Sequence, residues 1–137
     1  MNERIKDKIK EIEKYLNELE YIVPKNLEDY KKDFKTRAAC ERYTEVIIEA
    51  VIDLAILIIK YQKLEYPDSD LQSLDVLAKE EIISEKLADR LQDAKRMRNI
   101  IAHEYGSIDD EIVFNSITEE LEKDVREFIK SIERAIK

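Results

Sequence analysis

Glycine, proline and tryptophan are nearly missing from this chain: among 137 residues there are one Gly, two Pro and no Trp. Strand-rich folds reverse direction every few residues and draw on Gly and Pro to do so, so their scarcity argues against a sandwich or barrel and for long helices. Cysteine is equally scarce. Cys40 is alone, which excludes an intramolecular disulfide framework. No apolar run reaches the roughly 20 residues of a membrane span. The best stretch, 46–59, is interrupted by Glu49 and Asp53. The N-terminus is charged and lacks the apolar centre of a secretory leader, so the expected location is the cytoplasm, with no membrane partner.

Positive charge is in deficit. Lys and Arg number 24 against 32 Asp and Glu, a net charge of −8, so the molecule as a whole does not attract nucleic acid. Any such contact needs a local basic patch, and Lys95, Arg96 and Arg98 supply a small one. Alternatively, these cations simply pair with nearby carboxylates. With one His, one Cys and no Glu-x-x-His pair, neither a zinc site nor a di-iron site of the bundle type can be assembled from one chain. The single Gly excludes a glycine-rich phosphate loop. No metal and no cofactor are expected.

Charged residues make up 41% of the chain and hydrophobic ones 44%, as in helices with solvated outer faces. Ile5, Ile9, Ile12, Leu16 and Leu19 recur at spacings of three and four, predicting a helix over 2–21 that ends before Pro24. Residues 27–66 contain neither Gly nor Pro and predict one long helix, bent near Phe34. A turn at 67–70 and a short helix over 71–79 follow. Ser84 is positioned to cap a helix running to Tyr105, with Gly106 as its left-handed C′ residue. After a short segment at 108–115, Thr118 would cap a last helix. Four main helices with short connections imply one all-α domain over residues 1–137, an antiparallel four-helix-type bundle with an extra short helix.

The long helix is apolar on two sides. One stripe, Ala39, Tyr43, Ile47, Ala50, Leu54, Leu57 and Tyr61, suffices to face the core. The other, Ile48, Ile52, Ala55, Ile56 and Ile59, lies roughly opposite. Either the segments around Leu71 and Ile112 fold over it, or it is the interface of a two-fold homodimer. Asp53 stands among these apolar residues and would need a cationic partner if buried.

That partner is sought in the helix that begins at Ser84. Leu87, Leu91, Ala94, Ile101, Ala102 and Tyr105 form its core stripe, and Arg98 falls within it, with Asp53 as the candidate counter-ion. Gln92, Arg96, Asn99 and His103 form a polar row on the other side. At about 100° per residue, Arg98 and His103 leave the helix about 140° apart, so one straight helix does not aim both at one point. His103 is the only imidazole, the one side chain whose ordinary titration range includes neutral pH. It reads either as a proton-transfer group or as an ordinary surface histidine near a helix end. Tyr105 reads either as functional or as a core aromatic with its hydroxyl at the helix end.

The order Arg98, polar Asn99, three residues, His103, one residue, Tyr105 resembles the Arg-x4-His-x-Tyr signature of the HEPN superfamily, specifically its HepT-like toxins. The following stretch 106–114 and the helix over 37–53 are similar too, so the resemblance covers essentially the whole chain. It implies a dimeric helical bundle acting as a metal-independent endoribonuclease on RNA rather than DNA. It also implies a HepT/MntA-type toxin–antitoxin pair, in which a minimal nucleotidyltransferase antitoxin silences the toxin by AMPylation of the motif tyrosine. Carried over, Arg98 and His103 are catalytic, Asn99 positions, and Tyr105 is modified. A symmetric dimer would supply two imidazoles where one chain has only one. The alternative is a non-catalytic HEPN binding module that docks the nucleotidyltransferase; a purely structural dimer is a third possibility.

Overall fold

A computed structural model describes residues 2–104, Gly106 and residues 108–136. It is all-helical: α1 (Glu3–Ile22), α2 (Leu27–Lys32), α3 (Phe34–Tyr61), α4 (Asp70–Lys79), α5 (Glu85–His103), α6 (Asp110–Asn115), a π-helical segment (Ser116–Leu121) and α7 (Glu122–Ala135). Short polar side chains set the starts. Asn2, Asn26, Asp33, Ser69, Ser84 and Asp109 each accept a hydrogen bond from a backbone N–H two or three residues on, satisfying donors that have no partner inside the helix.

The expected long helix over 27–66 is two helices, and the second stops at Tyr61. Asp33 leaves helical geometry (φ −112°, ψ 103°) and caps α3, accepting from the Lys35 N–H at 3.0 Å and from the Thr36 hydroxyl at 2.8 Å. The break is therefore made by a cap rather than by Gly or Pro. The far ends of α3 and α4 close without glycine as well. Lys63 and Glu81 take positive φ (55° and 59°), and the next amide reaches back five residues in each case, Leu64 to Ile59 and Ile82 to Leu77, both at 2.9 Å. This is the Schellman closure, made here by residues that carry a Cβ.

α3 is the central helix. It packs against α1, α4 and α5, while α5 packs on α7. Arg126 of α7 donates to Asn17 of α1 at 2.9 Å, closing the circuit. Tyr43 donates to Glu18 at 2.7 Å and ties α3 to α1. The residues expected to meet a second chain are mostly covered within this one. Ile48, Ile52, Ala55 and Ile59 are 3% exposed or less and Ile56 is half-buried. Four of the five residues expected at a dimer interface are therefore buried within the chain and not free to meet a second copy: α1 and α4 lie against α3, while Ile112 is itself 61% exposed. Burying each such isoleucine contributes about 2 kcal/mol, which makes α3 the main source of the fold's cohesion.

The last helix does not begin at Thr118. It begins at Asp110, and Thr118 lies inside the π segment, donating its hydroxyl to the Phe114 carbonyl at 2.9 Å. Ile117 and Leu121 of the π segment and Val125 of α7 are all buried.

Candidate functional site

The motif side chains lie on the last two turns of α5, which Ser84 starts by accepting from the Leu87 N–H at 3.1 Å. The helix stops at His103, with Glu104 as its C-cap donating back to the Ile100 carbonyl at 2.8 Å. It therefore does not reach Tyr105, and Gly106 is not its C′ residue. Tyr105 lies outside the described residues.

Arg98 and His103 have different surroundings, as their separation around the helix requires. His103, Asn99 and Arg96 are exposed. Arg98 keeps only 20% of its side chain exposed, and its Nη2 lies 3.4 Å from Glu49 Oε2 on α3. Asp53 is not its partner. That carboxylate is half exposed and faces α1, where Lys8 Nζ approaches it at 3.6 Å while also meeting Glu11 at 2.9 Å. Burial alone would lower the Lys8 pKa, but the Glu11 and Asp53 carboxylates outweigh it and raise the pKa above the usual lysine value. Glu49 and Asp53 are one turn apart, about 40° around α3. That small angle decides which of them faces α5.

Lys95 and Gln92, both expected at the surface, are buried instead. Lys95 Nζ sits 3.1 Å from Asp70 and 3.7 Å from Glu49. Gln92 donates from Nε2 to the Leu71 carbonyl at 2.8 Å and to Asp75 at 2.9 Å, pinning α4 onto α5. The basic patch is thus largely spent. Lys95 is tied to Asp70 and Glu49, and Arg96, still exposed, donates to Asp93 at 2.8 Å; among the described residues Arg98 makes an ion pair with Glu49. Its Nε is buried without a hydrogen-bond partner, as is Glu49 Oε2. Sequence reasoning missed Glu49. Its signal was the same interruption of an apolar stretch that drew attention to Asp53.

Apolar surface lies beside the motif. Ile100 is 39% exposed, and together with Ile112 it borders a small cavity also lined by Met97, Ile101 and Ile108. A larger groove, lined in part by Arg90, Asp93, Glu120 and Asp124, runs between α5 and the π segment and does not include Arg98 or His103. Among the described residues, no three His, Cys, Asp or Glu side chains are grouped to hold a metal ion, and no helix is long and apolar enough to cross a membrane.

Comparison with known proteins agrees along nearly the whole chain. The ribonuclease HepT-like family matches residues 5–132. The mRNA nuclease HepT of Shewanella oneidensis is 30% identical over 132 residues, 96% of this chain and 98% of that protein. The tRNA nuclease HepT of Aphanizomenon flos-aquae is 28% identical over 114 residues, 83% of this chain and 78% of that one. Among solved structures, the tri-AMPylated Shewanella oneidensis HEPN toxin in complex with MNT antitoxin is 29% identical, with a TM-score of 0.90 over 98% of this chain and 99% of that one. With its all-α bundle, its motif on the end of α5 and a family match spanning both, this chain belongs to the HepT-like ribonuclease family.

Proposed function

We propose that this chain is a metal-independent endoribonuclease, the toxin of a toxin–antitoxin pair, with a site built on Arg98 and His103. The observation that carries the reading is the contrast on the last two turns of α5. The only imidazole is exposed at the surface, and Arg98, largely buried, is held against Glu49 of α3, in a chain with ribonuclease relatives.

The chemistry needs a base, an acid and a cation. A base removes the proton of the RNA 2′-hydroxyl, whose oxygen attacks the adjacent phosphorus; the P–O5′ bond breaks, and an acid protonates the departing oxygen. His103 serves as base or acid, Arg98 stabilises the charge that gathers on the phosphorane oxygens, and Asn99 positions the strand. Two proton transfers call for two groups, and one chain has one imidazole. A homodimer that brings together two copies of the α5 end supplies both. The 140° between Arg98 and His103 and the exposed Ile100 and Ile112 beside them support such an arrangement.

Inactivation is proposed at Tyr105, by analogy with the AMPylated Shewanella toxin and its MNT antitoxin. The Tyr105 hydroxyl oxygen bonds to the α-phosphorus of ATP, pyrophosphate leaves, and the phenolic proton is released. The nucleotidyltransferase antitoxin catalyses the step, and the attached AMP places bulk and negative charge where an RNA phosphate has to approach. The test is cleavage of RNA by purified protein in EDTA. His103→Ala and Arg98→Ala should each lose about a hundredfold or more in rate. Undiminished cleavage by both would reject the catalytic assignment and leave the docking-module reading in its place.

A further inference from the structure

We propose that Glu49 is the positioning residue for Arg98, holding the Nε–Nη2 edge of the guanidinium so that the remaining edge, with Nη1, faces the RNA phosphate. The inference rests on the ribonuclease reading and extends it to a residue on a different helix. Arg98 Nη2 lies 3.4 Å from Glu49 Oε2, and the two buried atoms without hydrogen-bond partners in this region are Arg98 Nε and that same Glu49 oxygen. A guanidinium presents Nε and Nη2 as parallel donors on one side, the natural match for one carboxylate. Both atoms are buried, and Nε lies on the same guanidinium edge as the Nη2 that already approaches that oxygen. Unsatisfied buried groups of opposite charge side by side strongly favour a hydrogen bond between them.

Lys95 is the competing cation for Glu49, at 3.7 Å, and Asp70 holds it away at 3.1 Å. The four charges form two pairs, Lys95 with Asp70 and Arg98 with Glu49, so the carboxylate that orients the arginine is not drawn off by the neighbouring lysine. The network also has no net charge. Its contribution to phosphate binding therefore comes from geometry, the aim of one planar donor fork, rather than from added positive potential.

Glu49→Gln retains the shape of the side chain and one acceptor oxygen but loses the charge, and Glu49→Ala removes the contact. In an RNA-cleavage assay with folding checked by circular dichroism, kcat should fall roughly tenfold for Gln and further for Ala, with KM within about twofold. Asp53→Asn, one turn along α3 and facing Lys8, should leave kcat unchanged. The discriminating measurement uses Arg98→Lys as background, where no planar fork remains to be aimed. There Glu49→Gln should cost less than twofold, whereas a general structural role would cost the same in both backgrounds and would overturn the proposal. Full kcat in Glu49→Gln, with Arg98→Ala inactive, would overturn it while leaving the ribonuclease reading intact. Full activity in Arg98→Ala itself would reject that reading.

Discussion

Arg90 and Arg98 stand eight residues apart on α5, and each faces a carboxylate on another helix. Arg90 is hydrogen-bonded on the edge it turns to α7: its Nε donates to Asp124 at 2.9 Å and its Nη2 to Glu127 at 2.8 Å, and Asp124 is almost completely buried. Arg98 meets Glu49 at 3.4 Å without a hydrogen bond, and its Nε is unpaired. One arginine is a clamp between α5 and α7 with its bonds closed. The other is held in place with donors in reserve. A pair that serves only the fold gains by closing every bond, since each unsatisfied buried group costs about 1–3 kcal/mol. For a ligand-binding cation the useful donors are those on the edge its carboxylate does not hold, and α5 carries one arginine of each kind.

The comparison can be broken most directly at the two arginines. Replacing Arg98 with Ala should remove most RNA cleavage and change the melting temperature little. Arg90→Ala should do the opposite, lowering stability by about 2 kcal/mol in denaturant titration because it strands Asp124, while cleavage per folded molecule persists. Loss of activity in folded Arg90→Ala would erase the distinction. A smaller effect sharpens the closed side. Cys40 is fully buried, and burial, reinforced by the neighbouring Glu41 charge, pushes its thiol up to about 11. The thiol therefore remains protonated at pH 8, and a disulfide reagent should label it only as fast as the protein unfolds. Prompt labelling of native protein would show that the start of α3 is not closed. The smallest effect concerns stored strain. Lys63→Gly or Glu81→Gly should each raise stability by about 1 kcal/mol, since a Cβ at positive φ is removed from a closure that is otherwise complete.

The fold was legible wherever periodicity or a cap carried it. The first helix, the turn before α4, and the Ser84 start of α5 follow from spacing and from one side-chain oxygen each. What escaped was decided by neighbours. The break at Asp33 has no Gly or Pro to mark it, and an Asp at that place reads equally well as an exposed helical residue until Thr36 is seen bonding back to it. The second apolar side of α3 looked like a partner surface because the sequence does not say that α1 and α4 lie against it. On α5, Arg98 and His103 diverge as helix geometry anticipates. The counter-ion was placed one turn too far along, at Asp53, because Glu49 and Asp53 interrupt the same apolar run and only the direction of α5 and α1 separates their roles.

The π segment at Ser116–Leu121 bears on how the chain length can vary. An extra residue in a regular helix would turn everything after it by about 100°, carrying Asp124 away from Arg90 and Phe128 out of the core. Absorbed in one wide turn, the surplus residue leaves both flanks in phase. Deleting one residue within Ser116–Leu121 should therefore return the turn to regular α geometry and leave Asp124 facing Arg90, a tolerance otherwise found in loops.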